Sequence, residues 1–98
     1  MPQTFSGYIG ANDGFDGPAP FDGPTGWTVN KEQQSEIFKI HHGLNLSKPH
    51  KLRVVATTQK AFTIANIESL STNDFEITVW TTNGTPAITD VSFVGVLS

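Results

Sequence analysis

No cysteine occurs among the 98 residues, so no disulfide can brace the fold. Charge is scarce as well: only 15% of residues are Asp, Glu, Lys or Arg, and six bases against nine acids leave a formal net charge of -3 at pH 7. That balance lacks the basic footprint of a nucleic-acid binder. No run of about 18 apolar residues is present, so no membrane-spanning helix is expected. The chain has no Gly-x-Ser-x-Gly, no His-Glu-x-x-His and no P-loop. The three histidines do not make a metal set: His41 and His42 are neighbours on a predicted strand, so their side chains point to opposite faces, and His50 lies in a loop. The Asp-Gly pairs at residues 13–14, 16–17 and 22–23 miss the EF-hand spacing and read as turns. The expectations are no catalysis, no metal and no cofactor, and a partner that is neither nucleic acid nor membrane.

What the sequence does have is two different materials. Residues 1–26 hold six of the nine glycines, four of the six prolines and three of the nine acids, with no Lys or Arg. Glycine and proline at that density oppose regular helices and ladders, yet four aromatic residues, Phe5, Tyr8, Phe15 and Phe21, sit among them. Phe15-Asp16-Gly17-Pro18 returns six residues later as Phe21-Asp22-Gly23-Pro24. Extended, the two phenylalanines lie about 20 Å apart. This segment is predicted to be an extended N-terminal arm whose rings, together with Trp27, are buried on a partner.

Residues 27–98 are predicted to form the body. Phe38, Ile40, His42 and Leu44 alternate with Ile37, Lys39 and His41, the period of a strand with one buried face. Leu52, Val54 and Ala56 alternate with Arg53, Val55 and Thr57, and Phe62 and Ile64 are read as continuing that apolar set after a break. Phe75, Ile77 and Val79 share one face, with Glu76, Thr78 and Trp80 on the other. Asn83-Gly84 is a hairpin signal, and Pro86 limits what pairs after it. Val91, Phe93, Gly95 and Leu97 line one side of a last strand whose reverse carries Val94 and Val96, so both of its sides are expected to be covered. Lys31 to Glu36 is polar throughout and is read as a turn of helix at most. Short strands at this spacing predict an all-β fold, a small antiparallel β-sandwich or jelly-roll-like body. A body this small and without disulfides is expected to gain stability by oligomerising. Trp80, on the face opposite the core, and Asn83 beside it are candidates for a glycan contact or a subunit interface.

The stretches Phe38–Asn45, Leu52–Thr57, Asn73–Val79 and Asp90–Val96, a His-small-Leu turn among Val- and Phe-centred strands, resemble the small β-structured proteins of tailed-phage virions, both fibre head domains and capsid decoration (cement) proteins. The resemblance implies a non-enzymatic structural protein on a virion surface. With an arm in place of a shaft, it implies a cement protein, most simply a homotrimer, bridging copies of a major capsid protein or another virion protein. The alternative it implies is a tail-fibre tip that binds a receptor glycan.

Overall fold

The computed structural model describes residues 3–11, 17–32 and 37–98. They form nine strands: β1 (Gln3–Ile9), β2 (Gly17–Pro18), β3 (Phe21–Asp22), β4 (Thr28–Glu32), β5 (Ile37–His41), β6 (Leu52–Thr58), β7 (Thr63–Glu68), β8 (Asp74–Thr81) and β9 (Val91–Leu97). All pairings are antiparallel and make two sheets, one of four strands in the order β3-β1-β9-β6 and one of five in the order β2-β4-β5-β8-β7. The expected all-β sandwich is the observed fold.

Alternation in the sequence sets the inner faces. Val29, Phe38, Ile40, Phe75, Ile77 and Val79 come from the five-stranded sheet, and Ile9, Leu52, Val91 and Phe93 from the other; all are buried. The two inward rows meet as one core, as sheets packed face to face require. Trp27 closes one end, with its ring stacked on Phe93 at 5.9 Å and against Phe75 at 6.4 Å.

The first 26 residues, where described, contribute three strands to the two sheets. Residues 3–9 pair with β9 along their whole length, Gln3 opposite Leu97 through Ile9 opposite Val91. Ile9 is fully buried in the core, and β2 and β3 add edges to the two sheets. The physical reason is local. Within Gln3–Ile9 the only glycine or proline is Gly7, and Phe5, Gly7 and Ile9 alternate with Thr4, Ser6 and Tyr8 as in any half-buried strand. Averaging composition over 26 residues hides that period. Gly7 is needed because Phe21 and Phe93 stack over it at 6.2 Å; a Cβ there would fall 2.6 Å from the Phe93 ring.

Other expectations shift in detail. Lys31 lies not on a polar turn but in β4, facing inward and only 1% exposed, with its ammonium 3.7 Å from the centre of the Phe38 ring. That geometry is a cation–π contact. Glu32 ends the same strand, and the remaining residues of the expected turn, 33–36, are outside the described residues. The inward residues of β7 are Ala65 and Ile67, while Phe62 and Ile64 are exposed. Asn83-Gly84 does form a tight turn, with Gly84 N–H donating to the Thr81 carbonyl (2.9 Å) and Gly84 at φ +85°. Only one bridge follows it, Trp80 with Pro86, and the chain then crosses to the other sheet as β9.

Candidate functional site

Two turns meet at one end of the sandwich. The first joins β6 to β7. Its ends are tied by the Thr63 hydroxyl, 2.6 Å from that of Thr58, and its last residue, Phe62, has φ +61°. A bulky side chain in the left-handed region is a true outlier; holding it there costs about 1–3 kcal/mol and marks sites where surrounding structure dictates the backbone. The surrounding structure is the second turn: Thr82 N–H donates to the Phe62 carbonyl at 3.0 Å. That second turn is rigid in its own right, with Thr81 N–H bonded to the Thr85 carbonyl (2.7 Å) and the two threonine hydroxyls 2.6 Å apart.

The strained backbone throws the Phe62 ring into solvent, 81% exposed. Beneath it is an open depression of about 730 Å³, lined by Lys60, Phe62, Thr82, Asn83, Pro86 and Ile88 among others. That volume lies within the range of small-ligand sites. The lining is amphipathic: an aromatic ring and aliphatic groups stand together with an amide, threonine hydroxyls and an ammonium. An amide supplies both donors and an acceptor. Such a surface suits a ring with apolar C–H faces and hydroxyl edges. It holds no carboxylate, imidazole or thiol.

Asn83, singled out in the sequence, lines this depression, whereas Trp80 does not. The Trp80 indole lies on the outer face of β8, its Nε1–H donating to the Thr78 hydroxyl at 3.0 Å. Ile64 sits directly across from it on β7 and Pro86 on its other side. Pro86 is the link, flanking Trp80 and lining the depression. Sequence reasoning missed Phe62 as a site residue because an apolar residue near a strand start reads as core; only the backbone angle reveals that it points out.

The rings expected to grip a partner are otherwise placed. Phe5 packs on Trp27 at 5.0 Å between centroids, and Phe21 on Phe93. Trp27 is buried in the core. Tyr8 presents its ring to solvent, its phenol bonded to Asp90. Phe15 lies outside the described residues. Strand pairing of β1 with β9 carries Phe5 to the sandwich interior, where it and Phe21 bury apolar area against the core.

The histidines also separate as their spacing implied. His41 faces outward, with Nδ1 2.7 Å from Asp74 Oδ1. His42 is buried between Trp27 and Phe75, and its Nδ1 accepts the Leu44 N–H at 3.1 Å. Burial holds its pKa below the ordinary histidine value, opposed by the charge of Asp74 and helped by that of His41. Among the described residues no group of three or more His, Cys, Asp or Glu is placed to hold a metal. Nor, among the described residues, is any helix long and apolar enough to cross a membrane.

Compared with protein-family models, with curated proteins and with solved structures, the chain finds no significant match.

Proposed function

We propose that this chain works by recognition, with no chemistry of its own, and that the depression beside Phe62 takes a sugar ring. The observation that carries the reading is Phe62 itself. An aromatic side chain held in strained backbone, lining a depression that an amide and a hydroxyl also line, stands outside the core and exposes apolar surface that folding alone would hide. A pyranose laid on that ring would cover it with C–H groups while Asn83 and Thr82 bond its hydroxyls. In the setting that the strand pattern resembles, this is the receptor-contacting tip of a phage tail fibre.

The test is a glycan-array screen with the purified protein, followed by titration of the best binder. The expected result is millimolar to micromolar binding that Phe62→Ala and Asn83→Ala each weaken at least tenfold, with the thermal midpoint not lowered. A screen with no binder, or binding indifferent to both substitutions, overturns the reading.

One observation favours the second reading, a capsid decoration protein: the outer side of β9 carries uncovered Val94 and Val96. Co-sedimentation with emptied capsids that Val94→Lys abolishes, in a protein that binds no glycan, would select it.

A further inference from the structure

The outer face of the four-stranded sheet is built in three outward rows. Thr4, Val96 and Arg53 form one; Ser6, Val94 and Val55 form the middle; Asp22, Tyr8, Ser92 and Thr57 form the last. The middle of this face is apolar. Val94 and Val96 are exposed, and Val55 is 69% exposed. Around them stand serines and threonines, side chains short enough to let a second sheet approach to about 10 Å.

Charge on the face is confined to its ends and is of opposite sign. Arg53 marks one end, in the first row. Asp22 marks the other, diagonally across in the last row, and Asp90 lies just beyond it with its carboxylate on Tyr8. At the acidic end Ser6, Tyr8, Asp22, Ser92 and Val94 surround a hollow of about 560 Å³. The basic end has the projecting group and the acidic end has the hollow.

We infer that this face binds a second copy of the same chain, face to face about a two-fold axis that sets the two copies end for end. In that arrangement Arg53 of each copy meets the acidic hollow of the other, so one complementary contact is made twice, as a two-fold interface demands. Val94 and Val55 close the centre. Parallel alignment is disfavoured, since it would set like charges together. The face measures roughly 19 by 24 Å from strand spacing and rise, so the pair buries on the order of 1,000 Å² in all, the lower bound for a specific interface. The dimer is accordingly weak and dependent on concentration and salt. It shares no residue with the sugar site, which is built from the turns after β6 and β8.

Sedimentation equilibrium of the full chain, with a melting curve for each variant, tests this. The wild type should rise from one chain's mass toward two between about 1 and 500 µM at low salt, and fall back in 0.5 M salt. Val94→Lys should remain at one chain's mass throughout. Arg53→Glu, at an exposed position that the fold does not need, should weaken association at least tenfold even if Val94→Lys fails to fold. Ile64→Lys, on the other sheet, should change nothing. A wild type that stays monomeric at 500 µM, a stable trimer, or association that survives both Val94→Lys and Arg53→Glu overturns the inference.

Discussion

The phenol of Tyr8 donates to Oδ2 of Asp90, and Oδ1 of the same carboxylate accepts the N–H of Ala11 at 2.7 Å. One aspartate at the head of the last strand thus holds the tail of the first, across nearly the whole chain. Each partner shifts the other: the bond raises the Tyr8 phenol above its ordinary value and lowers the Asp90 carboxyl below its own, with Ala11 adding to the second effect.

The sign of the Asp90 contribution follows from linkage. A carboxylate whose pKa is lowered in the folded state stabilises fully above its unfolded value, near 3.8, and loses that contribution as pH falls through the folded value. Tyr8→Phe should therefore lower the thermal midpoint at pH 6, and its difference from wild type should narrow by pH 3. A difference that is constant over that range would show the bond to be idle.

Removal of the first strand should abolish folding. The β9 backbone loses a partner along seven residues, and the core loses Ile9. A chain lacking residues 1–11 should show no cooperative melting transition. Ile9→Ala is the milder version and should cost about 2–5 kcal/mol, read by urea denaturation. A truncated chain that melts cooperatively with a strand-type circular dichroism spectrum would show this segment to be a dispensable arm.

Acid should act through His42 well above the carboxylate range. Its imidazole is held neutral by burial, with Nδ1 occupied as an acceptor. A histidine with a lowered folded pKa stabilises fully above its unfolded value, about 6.5, and that stability drains as pH falls from there toward the folded value. Melting between pH 8 and pH 5 should show a decline that His42→Leu flattens. Equal slopes for the two proteins would remove His42 from the account.

Phe62 should show a conflict between stability and binding. Glycine adopts φ +61° without the steric cost that phenylalanine bears. Phe62→Gly should raise the melting temperature, by about 1 kcal/mol in free-energy terms, while eliminating sugar binding. A substitution that destabilises the protein would mean the ring packs on something the fold needs.

Much of the architecture was legible in the chain. Period-two alternation in Phe38–Ile40 and Phe75–Val79 put the right residues inside, because one hydrophobic face per strand leaves no other register. The same signal was present in Phe5, Gly7 and Ile9, but glycine in the inward position and the proline-rich stretch after it masked it. Of the site, Asn83 was legible as turn chemistry and Trp80 as an outward ring; Phe62 was not, since apolar identity says nothing about the sign of φ.

Composition and periodicity alone determined that this would be a disulfide-free antiparallel all-β fold, a sandwich or jelly-roll-like body, because local side-chain alternation and turn residues are properties of neighbours in sequence. Which strand lies beside which was decided only in three dimensions. The pairing of β1 with β9, the inward turn of Lys31 onto Phe38, and the meeting of Phe62 with Asn83 all join residues through space. The energy that selects them is burial and hydrogen bonding summed over the whole fold, which no short window of sequence contains.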